Sequence, residues 1–215
     1  MSTSVVLFGS MGVAVECLEW LLGQPGYEVR GVVCATGPVP RWRVERRDRN
    51  MADEAGRRGV PIYPLDNLPA ADLGLAMCFN QILRRRHLDR FRLGVLNLHP
   101  APLPRMRGSL CEMIALHEGH SHFGATMHWM DEGVDTGDIV AGERFPIIPG
   151  SDPIGLLTAA HAACLRLARA HLASVCDGTA PRVRQADLID AGVPCQTYRR
   201  AAVVRFFQER EHLAA

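Results

Sequence analysis

Short apolar runs alternate with longer stretches in which apolar residues recur every three or four positions. Val5-Val6-Leu7-Phe8, closed by Gly9-Ser10-Met11-Gly12, reads as a buried strand, and Val13 to Leu22 as a helix with an apolar stripe. Val29 to Cys34, interrupted by Arg30 and Gly31, reads as a second strand. Met51 to Arg58 follows as helix, Val60 to Tyr63 and Leu73 to Phe79 as strands, Ile82 to Phe91 as helix and Gly94 to Leu98 as a fifth strand. Strands alternating with helices of this length predict an α/β fold: a parallel sheet with helices on both faces, Rossmann-like over roughly the first hundred residues.

After Gly108 the pattern changes. Ser109 to Glu118 reads as helix, while Phe123 to Trp129 and Ile139 to Phe145 are strands joined by a tight loop, hence antiparallel neighbours. The sheet is therefore expected to be mostly parallel with an antiparallel C-terminal part. Ser151-Asp152-Pro153 has a capping side chain and a first-turn proline, and it opens the longest helix, running to about Cys176. The tail from Pro181 holds one strand and one helix. This organisation predicts a domain over 1–178 and a short C-terminal extension over 179–215, with no internal repeat.

Composition removes several function classes. The chain has 215 residues and a net charge of +1, against the basic excess of a general nucleic-acid or membrane-surface binder. No apolar run reaches the roughly 20 residues that span a bilayer. The N-terminus carries no charged segment before its first strand, and the seven cysteines are odd in number and widely spaced, so a cytoplasmic protein without a disulfide framework is expected. All 24 basic residues are arginine. The absence of lysine excludes a P-loop lysine, a Schiff-base lysine and kinase-type chemistry.

Three stretches are candidates for chemistry. Gly9-x-x-Gly12 lies between strand and helix but lacks the third glycine and the ribose-binding acid of a dinucleotide site, so it reads as a tight turn. In Val95 to Gly108, Asn97 and His99 alternate at the C-terminal end of a strand and share a face, where ligands of open α/β sheets bind. Pro100, Pro102 and Pro104 then enforce an extended loop. A histidine beside an amide suits acyl chemistry, although a core histidine satisfied by backbone is the plain alternative. In Met130 to Val140, Asp131, Glu132, Asp135 and Asp138 are not spaced as a calcium loop, and Gly133 and Gly137 mark a tight connection. A carboxylate there has the type and place to orient the histidine; a solvated acidic loop is the alternative.

Asn97-x-His99, the following proline-rich Leu103-Pro104-Arg105-x-Arg107-Gly108, and Asp131-x-Gly133-x-Asp135-Thr136-Gly137-Asp138-Ile139 together resemble the folate-dependent formyltransferase family. That family includes the glycinamide ribonucleotide, methionyl-tRNA and sugar N-formyltransferases. The resemblance covers about residues 5–175 and departs at Ala101-Pro102, where the family usually has Ser-Leu. It implies the formyltransferase fold, a catalytic triad of Asn97, His99 and Asp135, and 10-formyltetrahydrofolate as co-substrate. Relatives hold the pterin in an apolar slot, which maps here to Gln81, Ile82, Leu83 and Leu88 with Asp131 and Val134 of the acidic turn. Core packing in a helix is an equal reading for any one of Ile82, Leu83 and Leu88.

The implied reaction is attack of an acceptor amine on the formyl carbon, with Asn97 and His99 stabilising the oxyanion and Asp135 supporting His99. No metal is expected, since His117-x-x-His120-x-His122 reads as a solvated helix end. The expected acceptor is a small amine: an amino-sugar nucleotide, an amino acid or a carrier-bound aminoacyl group. Initiator tRNA is disfavoured by the short tail and low charge, and no nucleic-acid or membrane partner is expected. Arg41 to Arg49, with five arginines against two acids, is a candidate phosphate contact or a solvated loop. Two other function classes remain: a 10-formyltetrahydrofolate hydrolase, and a non-catalytic folate-binding protein, which has no need of all three polar residues.

Overall fold

The computed structural model describes residues 2–35 and 49–213, so Arg41 to Asp48 of the arginine-rich stretch lie outside the described residues. The chain runs β1 (Thr3–Phe8), α1 (Gly12–Leu22), β2 (Tyr27–Val33), α2 (Met51–Arg57), β3 (Ala71–Met77), α3 (Arg85–Leu88) and β4 (Phe91–His99). It continues through β5 (Met106–Gly108), α4 (Cys111–His117), β6 (His122–Trp129), β7 (Ile139–Pro146) and α5 (Pro153–Cys176) to α6 (Gln185–Asp190), β8 (Gln196–Tyr198) and α7 (Arg200–Leu213). The main sheet has the order β2-β1-β3-β4-β6-β7. Pairings from β2 to β4 are parallel, and those of β4 with β6 and β6 with β7 are antiparallel. The mixed α/β sheet expected from the alternation of elements is thus the observed one, and β4 is the strand where it changes direction.

The side chains of β1 divide between the two faces. Val5 and Leu7 join a large apolar cluster with α1 and α5, while Val6 and Phe8 join a smaller one with Val95, Leu83 and Phe91. In α5 the Asp152 carboxylate accepts from the Gly155 amide at 2.6 Å, the cap that the Ser-Asp-Pro sequence implies. Ala160, Ala163, Cys164 and Ala168 are fully buried along that helix, and their small side chains let its axis lie close to the sheet. Gly9 is required by the same closeness elsewhere: a Cβ there would stand 2.5 Å from the Met77 carbonyl oxygen. The Gly9-x-x-Gly12 turn therefore serves the packing of β1 against β3.

Two expected elements are cut short. Val60 to Tyr63 makes only an isolated bridge from Ile62 to Val32, because Pro61 lacks an N–H and Pro64 ends the run. Gly31 lets that segment cross β2, since a Cβ there would lie 2.4 Å from the Tyr63 ring. Ile82 to Phe91 contains only the four-residue α3. Leu83 and Phe91 anchor this segment in the core from either side, with 1% and 5% exposure, and Phe91 already belongs to β4.

Beyond α5 the chain returns to the sheet. Val183 exchanges two backbone hydrogen bonds with Ile139, and β8 pairs in parallel with β5 in a separate two-stranded sheet. Val203 and Phe207 of α7 pack with Ile114 of α4 and Phe123 of β6. No helix among the described residues is long and apolar enough to cross a membrane.

Candidate active site

The parallel half of the sheet delivers Asn97 and His99 to the C-terminal end of β4, and the antiparallel half brings β6 alongside. Asn97 lies opposite His128 and His99 opposite Thr126. Directly opposed residues of neighbouring strands project to the same side, so all four share one face. The β6–β7 connection then folds back over that face and places Asp135 above it.

Hydrogen bonds define the cluster. The Asn97 amide Nδ2 donates to Oδ1 of Asp135 at 3.2 Å and stands 3.1 Å from Nε2 of His128. Nδ1 of His128 lies 2.8 Å from the Trp129 carbonyl, which can only accept, so this nitrogen carries the proton and Nε2 is the acceptor for Asn97. Nε2 of His99 donates to the Met106 carbonyl at 2.8 Å by the same logic. That leaves Nδ1 of His99 facing Oδ2 of Asp135 at 3.6 Å, an electrostatic contact longer than a hydrogen bond. Asp135 also accepts from the Gly108 amide at 2.8 Å, and its backbone sits in the left-handed region at φ 52°.

Charge is distributed accordingly. Burial pushes the Asp135 carboxyl up, but the adjacent His99 and His128 and the Gly108 amide outweigh it and hold the group well below the usual carboxylate range. Burial dominates at His99 and lowers its imidazole below the ordinary value; Asp135 opposes this shift and His128 adds to it. The resting arrangement is therefore an anionic Asp135 beside a neutral His99, whose Nδ1 is available to take a proton. The imidazolium so formed is stabilised by the carboxylate.

The other anticipated residues fall into two groups. Leu88 and Asp131 come together in a surface cavity of about 550 Å³, lined also by Phe91, Gly94 and Met130. Leu83 is turned into the core, and Gln81, Ile82 and Val134 are exposed, Ile82 and Val134 to 67% and 50%. Asp131 orders the turn itself, accepting from the Gly133 amide and the Thr136 hydroxyl. His117, His120 and His122 do not converge: His117 packs edge-on against Phe206 and Phe207, His120 meets Glu118, and His122 meets Ser121. Among the described residues, no three His, Cys, Asp or Glu side chains are gathered to hold a metal.

Two members of the cluster carry no motif. His128 is legible only as a polar residue at the end of an apolar strand. Gln185 of α6, 2% exposed, donates to the Asp135 and Gly137 carbonyls at 2.9 and 2.8 Å from a segment fifty positions away in sequence. Nothing local marks it.

Comparison with known proteins finds similarity in sequence and in fold. Residues 65–163 match the formyl transferase family model. The methionyl-tRNA formyltransferase of Elusimicrobium minutum is 36% identical over 163 residues, covering 71% of this chain and 48% of that protein. The chain thus spans about half the length of that relative. By fold, it matches the sugar 3N-formyl transferase WlaRD, solved in the presence of dTDP and 5-N-formyl-THF, with a TM-score of 0.76 over 94% of this chain and 71% of that one at 17% identity. Glycinamide ribonucleotide transformylase 1 from Symbiobacterium toebii matches with a TM-score of 0.65 over 82% of this chain and 89% of that one, at 21% identity. In sequence over residues 65–163, and in fold, the chain is similar to the formyltransferases.

Proposed function

We propose that this chain transfers a formyl group from 10-formyltetrahydrofolate to the amine of a small acceptor: an amino-sugar nucleotide, an amino acid or a carrier-bound aminoacyl group. The observation that carries this reading is the convergence of Asn97, His99 and Asp135 on one face at the end of β4. The folate supplies the formyl carbon and a nitrogen leaving group. The cavity beside β4 is the candidate folate slot: Leu88, Phe91 and Met130 offer apolar walls, Arg85, Arg92, Asp131 and Glu132 offer polar groups, and the triad lies outside its lining.

His99 accepts the amine proton at Nδ1 as the nitrogen bonds to the formyl carbon, and returns it to N10 of the folate as the carbon–nitrogen bond breaks. Asp135 stabilises the transient imidazolium. The Asn97 amide meets the developing oxyanion by exchanging its longer bond, the 3.2 Å contact to Asp135. Both Asn97 N–H groups are engaged at rest, so this exchange couples oxyanion formation to release of the Asp135 carboxylate toward His99.

The test is mass spectrometry of a pooled amine panel incubated with 10-formyltetrahydrofolate, with His99→Ala as control. The panel holds amino-sugar nucleotides, ornithine derivatives, glycinamide ribonucleotide, aminoacyl carrier proteins and methionyl-tRNA. One acceptor gaining a formyl group with a silent control sustains the reading. Release of tetrahydrofolate with no formylated amine replaces it with hydrolysis. Formylation of methionyl-tRNA alone overturns the small-acceptor assignment.

A further inference from the structure

Gln185 is a buried polar side chain with every amide group engaged. Its Oε1 accepts from Nε and Nη2 of Arg107 at 3.1 and 2.8 Å, and its Nε2 donates to the Asp135 and Gly137 carbonyls at 2.9 and 2.8 Å. A guanidinium can only donate, so Arg107 fixes which end of the amide faces it and leaves both N–H groups for the turn. The next residue, Gly108, donates its own amide to the Asp135 carboxylate. Asp135 is thus held at its backbone carbonyl from α6 and at its side chain from β5. A non-glycine residue stays at φ 52° only where its surroundings over-determine it.

We infer that Gln185 is a positioning residue for Asp135: its amide clamps the carbonyls on either side of Thr136 and so fixes the carboxylate against His99 and Asn97. The effect on rate rests on the proposed formyl transfer, whereas the effect on geometry does not. A readout of each kind separates the two.

The first readout is the NMR titration of His99 in the ligand-free protein, comparing wild type with Gln185→Met, which keeps length and removes both donors. The titratable groups facing His99 are Asp135 from the acidic turn and His128 from β6, and the Cys111 thiol of α4 shares the Met106 carbonyl with it. Asp135 is the one that favours the imidazolium. Loosening it is expected to move the His99 midpoint down, by roughly half a unit or more. The second readout is steady-state kinetics on the formylated acceptor. Here kcat is expected to fall on the order of 10- to 100-fold, with a smaller change in the folate KM. Gln185→Glu, which still accepts from Arg107 but lacks both donors, is expected to lose kcat in the same way, and it serves if the methionine variant fails to fold.

A plain packing role predicts wild-type kcat in Gln185→Glu and an unmoved His99 midpoint in Gln185→Met; those results overturn the inference. Should wild type formylate no amine, a shifted His99 midpoint still sustains the positioning role while the formyl-transfer reading falls.

Discussion

The Gly108 amide donates to the Asp135 carboxylate at 2.8 Å, joining the end of the proline-rich loop to the acidic turn across 27 residues. Both residues have positive φ, 92° and 52°. A Cβ at position 108 would also stand 2.1 Å from the Tyr198 carbonyl oxygen, so only glycine can bring β5 against β8 and aim this amide at the carboxylate.

Asp135→Asn removes the charge that supports a protonated His99. His99 already titrates below its ordinary value because of burial, so kcat/KM is expected to fall on the acid side as His99 becomes protonated. Without Asp135 the imidazolium is less favoured, so the acid limb moves to still lower pH. The rate on the plateau drops by roughly 100-fold or more. A pH–rate profile of the two proteins checks both statements; an upward move of the limb contradicts the assigned roles.

His99→Ala is expected to abolish turnover and leave folate binding within a few-fold of wild type. The imidazole is only 5% exposed and lies outside the lining of the cavity beside Leu88 and Met130. Calorimetric titration with the folate, set beside single-turnover rates, separates these effects.

Thr126 ties the proline-rich loop to β6. Its hydroxyl donates to the Ala101 carbonyl at 2.8 Å and accepts from the Leu103 amide at 3.0 Å, at 3% exposure. Thr126→Val leaves both backbone groups without this partner and is expected to cost about 1–3 kcal/mol of stability. Denaturant unfolding measures it.

Asp72 provides a pH-dependent link at the far end of the sheet. It accepts from the Ser4 amide and hydroxyl and pairs with Arg92, which together bring its carboxyl down to about 2. Its folded pKa lies below the roughly 3.9 of an unfolded chain, so its contribution is complete above that value and disappears as pH falls toward 2. Asp72→Ala is expected to destabilise by on the order of 1 kcal/mol at pH 7, and by progressively less below pH 4. Unfolding curves at pH 7, 4 and 2.5 trace the convergence.

The sheet and its change of direction were legible because most strands hold a short apolar run, and several, such as β1 before Gly9 and β4 before Pro100, end at glycine or proline. The strand spacing also separates crossover helices from the tight turn between β6 and β7. The convergence of Asn97, His99 and Asp135 was legible because their motifs point to one sheet edge. The helix read across Ile82 to Phe91 was not realised, because two core anchors that close together admit one turn between them. Leu83 and Ile82 are adjacent and equally apolar, yet one is buried and the other exposed; only the packed fold distinguishes them. His128 and Gln185 depend on strand register and on the return of the chain after α5, which no local pattern encodes.

Strand β7 is an edge of the main sheet, and such an edge invites pairing with another chain. Its start is covered, because Ile139 already exchanges both backbone hydrogen bonds with Val183. Its far end is Pro146, which has no N–H to offer, and Glu143 and Arg144 put charge between them. The strip from Val183 to Gln185 thus has two duties: its first residue blocks strand addition, and its last holds the acidic turn. An intruding strand that peeled this strip away would disorder Asp135 in the same movement, so resistance to aggregation and integrity of the site fail together.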